Sequence, residues 1–199
     1  MQSQIDDIAY PPTHTYNLSP LYPTGVLAKR VAIIEQIAPE LFEGEDFLDV
    51  GANKGYFSMR AAEECWHVEA IEPDPQCQEL LHDILPTNAT LFRGTFGEYA
   101  TSQKFDRVFI GNGHHYPFIE AGGWSWVHKL AKMATNLVVV EGPSGMACTD
   151  MYNCIPGELR GEFNQDAMLE AFTAHFDFKV RVPTVGYTPD RYIYRFEKT

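Results

Sequence analysis

Phe47-Leu48-Asp49-Val50-Gly51-Ala52-Asn53-Lys54-Gly55, followed by Val68-Glu69-Ala70-Ile71-Glu72-Pro73-Asp74-Pro75, decides the fold. Phe47–Val50 is a short apolar run that stops at Gly51, and Val68–Ile71 is a second such run. Between them, residues 55–65 read as a helix. Strand, glycine turn, helix and strand form one unit of a mostly parallel sheet, because parallel neighbours need a crossover. The glycines let the backbone turn tightly and approach a ligand closely. Glu72 ends the second strand, where a carboxylate accepts hydrogen bonds from a ribose diol. Together these features predict a nucleoside-containing cofactor lying across the first two strand ends.

The alternation continues outward. Pro75–Leu85 reads as a helix, with Pro75 suited to its first turn. Thr90–Phe92 and Arg107–Ile110 read as the third and fourth strands, and residues 124–134 as a helix. Leu137–Val140 is a fifth strand whose unbroken apolar run suits burial on both faces. Asn164–His175 reads as a helix with Asn164 as its cap, and Phe178–Val182 and Tyr192–Phe196 as the last strands. Upstream, Leu27, Val31 and Ile34 fall at helical spacing in a helix that Thr24 would cap and that stops near Pro39. Residues 1–23, with Tyr10-Pro11-Pro12, Ser19-Pro20 and Tyr22-Pro23, are expected to form an extended arm or lid, and 24–199 a single domain. Such a chain is α/β, doubly wound, with helices on both faces of the sheet in three layers.

Composition narrows the function. The formal net charge is −12, and all of it falls on residues 1–159, so the chain lacks the clustered cations that a phosphate backbone calls for. No apolar run reaches the roughly 18 residues of a membrane span. The polar, acidic start MQSQIDDIAYPP lacks the basic and apolar regions of a signal peptide. Cys65, Cys77, Cys148 and Cys154 contain no C-x-x-C pair, and we expect reduced thiols in a cytoplasmic protein. The turn also lacks the middle glycine of G-x-G-x-x-G, which exists to admit a pyrophosphate, and no P-loop run is present.

FLDVGANKGYFS followed by VEAIEPDP resembles motif I and the acidic loop of class I S-adenosylmethionine-dependent methyltransferases, most similar over Phe47 to about Phe96 to FkbM-type and other small O-methyltransferases. The resemblance implies S-adenosyl-L-methionine as cofactor and a seven-stranded, Rossmann-like sheet whose last strand, here Tyr192–Phe196, is antiparallel. It implies that the turn of Gly51, Ala52, Asn53 and Gly55 meets the methionine part. Asp49 would bear on the amino group, directly or through water, and Glu72 would hold the ribose hydroxyls. Many members carry an acid after strand 3; here the stretch is Arg93-Gly94-Thr95-Phe96, so Thr95 would hydrogen-bond the base and Phe96 pack on it. Tyr56, Pro73, Gly111 and Asn112 complete the expected cofactor-binding set. Asp74 is either a helix N-terminal charge or a further ligand contact.

Strand 4 ends in Gly111-Asn112-Gly113-His114-His115-Tyr116-Pro117, not in the N/D-P-P-Y/F loop of amino-group and DNA methyltransferases. A hydroxyl acceptor must lose a proton, and histidine titrates near neutrality, so His114 or His115 is expected as general base, with Tyr116 shaping the acceptor pocket. Glu141, after strand 5, either orients a histidine, binds an acceptor hydroxyl or is a solvated strand-end carboxylate. The stretch from Gly142 to Phe163 has no periodicity and reads as an acceptor-side lid, with His14, Tyr16 and Tyr22 of the arm as a second cover. Asn112, Glu141, Asp150 and Asn153 lack the spacing of a catechol-type metal site, and nothing fixes a zinc geometry for Cys148 and Cys154 with His114 and His115, so no metal is expected. The expected acceptor is a hydroxyl on a small molecule or glycan, and a homodimer is left open. The alternatives are a protein or RNA methyltransferase, and a catalytically silent cofactor-binding regulatory subunit.

Overall fold

Strand β1 (Asp46–Val50) alternates its side chains between two layers. Phe47 packs with Phe57, Phe109 and Val139 on one face, while Leu48 and Val50 pack with Val108, Ile110 and Val140 on the other. A strand buried on both faces must be covered by helices on both, which gives the three-layer architecture. The computed structural model describes residues 25–111, 114–143, 155–184 and 191–198.

In chain order, β1 follows helix α1 (Gly25–Ile37) and a 3₁₀ turn (Pro39–Phe42). Then come α2 (Tyr56–Ala62), β2 (His67–Glu72), α3 (Pro75–Ile84), β3 (Ala89–Arg93) and β4 (Phe105–Ile110). They are followed by α4 (His115–Ala121), α5 (Trp126–Met133), β5 (Ala134–Pro143), α6 (Gln165–Thr173), β6 (Phe176–Pro183) and β7 (Arg191–Lys198). The sheet has seven strands in the order β3-β2-β1-β4-β5-β7-β6. Pairings from β3 through β5 are parallel, and β7 is antiparallel to both β5 and β6. Helices α1 and α2 cover the Phe47 face; α4, α5 and α6 cover the Leu48 face.

The chain steps outward from β1 through β2 and β3, then returns to start β4 on the other side of β1. This reversal falls between β1 and β4, whose carboxyl ends are the usual ligand position of such sheets. Because β7 runs backwards, its first residue, Arg191, reaches the same edge, opposite Pro143.

The expected Asn164 cap is in place, its Oδ1 accepting the Ala167 N–H at 3.0 Å; Asp74, left open between a helix charge and a ligand contact, also caps its helix, its Oδ1 accepting the Gln76 N–H at 2.8 Å. Three expectations are corrected. The Gly111–Pro117 loop gives way at His115 to α4, since a proline in a first helical turn sacrifices no internal hydrogen bond. Strand β5 extends beyond Val140 to Pro143, because antiparallel pairing with β7 holds it there, and Glu141 therefore lies within the strand, fully buried. Phe163, read as part of a lid, is a fully buried core residue. Thr24 and the arm, Asn112, and Cys148 and Cys154 lie outside the described residues. Cys65 and Cys77 are buried and not in a disulfide.

Gly55 has φ +87°, and a Cβ there would come within 2.5 Å of Leu81 Cδ2, a fully buried side chain of α3. Gly55→Ala is expected to destabilise the protein by about 1–3 kcal/mol through the left-handed backbone alone, with the contact adding to it. Urea unfolding monitored by circular dichroism checks this; an unchanged midpoint would count against it.

Candidate active site

The turn after β1 is made of left-handed residues: Gly51 has φ +77°, Asn53 +53° and Gly55 +87°. The N–H groups of Gly51 and Ala52 both donate to the Ile71 carbonyl, at 2.9 and 3.0 Å, which ties this turn to β2. Glu72 completes the tie. One carboxylate oxygen accepts the Asn53 N–H at 2.6 Å and the other the Asp74 N–H at 2.8 Å. Burial raises its pKa, against the pull of those two backbone donors. Each oxygen keeps a second acceptor site, so the clamped carboxylate can still receive two hydroxyl donors.

Asp49 is fully buried, and its Oδ2 accepts the Ser58 hydroxyl at 2.7 Å. Burial pushes its carboxyl up to about 7; the Glu72 charge adds to the rise, while Ser58 and the Arg30 guanidinium oppose it. A cation arriving here would favour the ionised form. Lys54 and Tyr56 are buried beside the turn, and burial lowers the first pKa and raises the second. Pro73 is half-buried.

Beyond β3, Thr95 and Glu98 form a reciprocal cap. The Thr95 N–H donates to Glu98 Oε2 at 2.9 Å, and the Glu98 N–H donates to Thr95 Oγ1 at 3.3 Å. Phe96 is 2% exposed, edge-on to Trp126 at 5.9 Å, with Lys129 Nζ 5.0 Å from its ring centre. Both residues are thus engaged in holding their own turn against α5.

The two histidines differ sharply. His114 is fully buried and lies parallel to Phe163, with centroids 5.4 Å apart, and Phe163 lies parallel to Trp124 at 5.7 Å. Its Nδ1 is 3.5 Å from the Gly111 carbonyl, which can only accept, so this contact places the proton on Nδ1. Nε2 then carries a lone pair and has no hydrogen-bond partner among the described residues. Burial holds the His114 pKa well below its ordinary value, helped by His115 and the Arg191 charge, so the ring is neutral near pH 7. His115 is half-buried, tilted against the half-exposed ring of Tyr116 at 4.1 Å.

Glu141 lies 2.6 Å from Arg30 Nη2 and 3.4 Å from Arg191 Nη1, and both arginines are buried. Sequence reading singled out neither. A signal for Arg30 was present: it stands three residues after Leu27 and four before Ile34, on the apolar face of α1. The structure brings Asp49, Gly51, Asn53, Gly55 and Glu72 into one cradle, and His114, Gly111 and Glu141 to the neighbouring strand ends.

No family model and no curated protein matches the sequence. Solved structures do match the fold. The N-methyltransferase NodS from Bradyrhizobium japonicum WM9, in complex with S-adenosyl-L-homocysteine, superposes with a TM-score of 0.68 at 14% identity, covering 88% of this chain and 88% of that one. A putative S-adenosylmethionine-dependent methyltransferase from Listeria monocytogenes gives 0.68 at 11% identity, over 86% of this chain and 99% of that one. Magnesium protoporphyrin IX methyltransferase from Synechocystis PCC 6803, with bound S-adenosylmethionine, gives 0.63 at 12% identity, over 87% and 79%. The chain thus has the Rossmann-like α/β fold found in these class I methyltransferases.

The raised Asp49 carboxyl has a stability consequence. Its folded pKa, about 7, exceeds the ordinary 3.8, so folding favours the protonated acid. Its contribution is fully present below pH 4 and is lost as pH rises through 7. In the ligand-free protein, Asp49→Asn should therefore match the wild type near pH 4 and exceed it at pH 8 by up to about 4 kcal/mol. Denaturant unfolding at the two pH values measures the difference; a gap that does not widen with pH would refute it.

Proposed function

We propose that this chain is an S-adenosylmethionine-dependent methyltransferase that methylates a hydroxyl group on a small molecule or saccharide. The observation that carries the reading is the cradle at the sheet's reversal point. There, a glycine turn open to close approach lies between a buried carboxylate, Asp49, and a clamped one, Glu72. Its chemistry fits the cofactor. Asp49 faces an ammonium, Glu72 takes the ribose diol, and the Gly51–Gly55 backbone packs beside the amino-acid end. When bound, S-adenosylmethionine supplies a methyl group made electrophilic by its sulfonium.

The rest is work for this chain's own residues. The acceptor must be held at a near-attack distance of roughly 3–3.5 Å, and α4 with Tyr116 forms the wall for that task. The acceptor's hydroxyl proton passes to Nε2 of His114, whose Nδ1–H is fixed on the Gly111 carbonyl. The assignment favours His114 over His115 because its Nε2 has no hydrogen-bond partner among the described residues; an acceptor must part the ring stack around this fully buried imidazole to reach it. The FkbM-like flavour of motif I and a strand-4 loop without N/D-P-P-Y/F support an oxygen acceptor. Residues 24–199 form the methyltransferase domain in this reading, and 1–23 its arm.

Calorimetry with S-adenosylmethionine and S-adenosyl-L-homocysteine tests the cofactor. Binding is expected, and Glu72→Ala should weaken it about tenfold or more, since two charge-assisted hydrogen bonds disappear. Absence of binding at millimolar concentration sinks the proposal. Radiolabelled methyl transfer into a cell extract, sorted into small-molecule, glycan, RNA and protein fractions, identifies the acceptor class. Label in RNA or protein overturns that part of the reading, and binding without any labelled fraction indicates a regulatory subunit. On the acceptor found, His114→Asn should lower kcat by about 10²–10⁴-fold. With cofactor saturating, so that Asp49 is already ionised, the wild-type kcat should show no acid limb near pH 6.5, because the His114 imidazole stays neutral well below that pH.

A further inference from the structure

Trp66 is the most exposed large apolar side chain among the described residues, at 78%. It stands between α2 and β2, at the amino edge of the sheet, opposite the edge that carries Glu72 and the Gly51–Gly55 turn. Tryptophan is bulky and apolar and is highly buried on average, so its exposure on a fixed turn asks for a reason. The turn is fixed. The Cys65 N–H donates to the Ala61 carbonyl at 2.7 Å, and Asn88 Nδ2 donates to the carbonyls of Ala62 and Cys65 at 2.9 and 3.0 Å. Cys65 is buried, with its Sγ 3.3 Å from the Phe42 carbonyl. The indole is thus presented to solvent by a backbone that is already ordered, which lowers the entropy cost of binding.

Two chain segments bring carboxylates to this turn. Glu63 and Glu64 precede Trp66 directly, and both are exposed. The His67 N–H donates to the Glu45 carbonyl at 2.9 Å, and β1 pairs with β2 from Asp46 and His67 onward, which sets Glu45 level with Trp66 one residue back. Glu43, exposed like Glu45, follows Phe42 on the segment that meets Cys65. Arg60 is occupied elsewhere: it pairs with Glu63 at 3.1 Å and Glu64 at 3.9 Å, and its guanidinium carbon lies 5.5 Å from the ring centre of Phe42. Among the described residues, no ring or cation stacks on Trp66, and neither Glu43 nor Glu45 makes an ion pair.

We propose that the Trp66 turn is a docking surface for an arginine-rich segment of a partner protein. A guanidinium is planar, so it stacks on the exposed indole while its N–H groups reach the carboxylates beside it. Lysine, a point charge, does only part of this. A nucleic acid or an anionic membrane meets repulsion here, both from the local carboxylates and from the net charge of −12. The same field draws a basic partner in. A partner held at the amino edge leaves the carboxyl edge open, so docking does not compete for space with the chemistry proposed above. The surface stands whether or not that chemistry is right.

The probe is a synthetic peptide of alternating arginine and glycine, titrated calorimetrically into the protein at physiological salt. It should bind, and Trp66→Ala should weaken it about tenfold. That substitution changes no charge, so loose attraction between a basic peptide and an acidic protein survives it; equal affinity of wild type and Trp66→Ala overturns the proposal. Glu43→Gln with Glu45→Gln should weaken binding about threefold or more, and Glu158→Gln with Glu170→Gln, which removes two exposed charges elsewhere, less than about twofold. Equal losses from the two pairs would mean that only the overall field is felt, and would also overturn it. A lysine–glycine peptide should bind more weakly; one that binds as tightly removes the guanidinium from the argument and overturns the arginine assignment. A second copy of this chain is the rival occupant: if light scattering shows a dimer that Trp66→Ala converts to a monomer, the turn belongs to that interface and the proposal fails. The urea midpoint of Trp66→Ala should match the wild type, since the ring is in solvent; should it shift, the two glutamate pairs decide alone.

Discussion

Glu141 carries a carboxylate into the centre of the protein at zero exposure, and two arginines make that tolerable. An ion this deep loses its hydration, and removing one partner of a buried pair costs about 3–5 kcal/mol. The pairing therefore constrains three elements at once. It seats α1 against the carboxyl edge of the sheet through Arg30, keeps β5 straight to its last residues, and draws the start of β7 alongside them. The carboxyl edge of the sheet beyond β4 is thus held by charge as well as by packing. Replacing the cluster with apolar side chains could leave the fold intact, but it would strip this strand edge of its buried charges.

Burial also sorts residues that look alike in sequence. His114 and His115 are neighbours, yet one is sealed in a row of parallel rings and the other sits half-buried against an exposed tyrosine. Asp49 and Asp74 both follow apolar runs. The first is buried and holds its proton up to about 7, and the second caps a helix at the surface. The chemistry open to each depends on how much water its strand end excludes.

The parts legible in the sequence are those fixed by local rules. β1 and β2 show as apolar runs because strands buried on both faces have few polar positions to spare. The turn shows because Gly51 and Gly55 answer to positive φ angles, and Asp74 and Asn164 show because caps are a matter of a few residues. What stayed hidden depends on partners far along the chain. The reach of β5 to Pro143 is held by β7, and Gly142-Pro143 alone reads as a stop. The burial of His114 needs Phe163, and the purpose of Arg30 needs Glu141. Helix α4 was missed for a local reason, since His115-Tyr116-Pro117 resembles a loop until Pro117 is placed in a first turn.

The backward course of β7 has a consequence for how the protein is made. Arg30 leaves the ribosome early and Arg191 late, and the edge between them is complete only when the last strand has paired with β5. The Gly51–Gly55 turn is synthesised long before that, while Glu141, two strands away, stays short of one cation until β7 docks. Contacts between such distant segments form late, after the local ones. The charged edge around Glu141 should thus be complete only once β7 has paired with β5, after the local elements have formed.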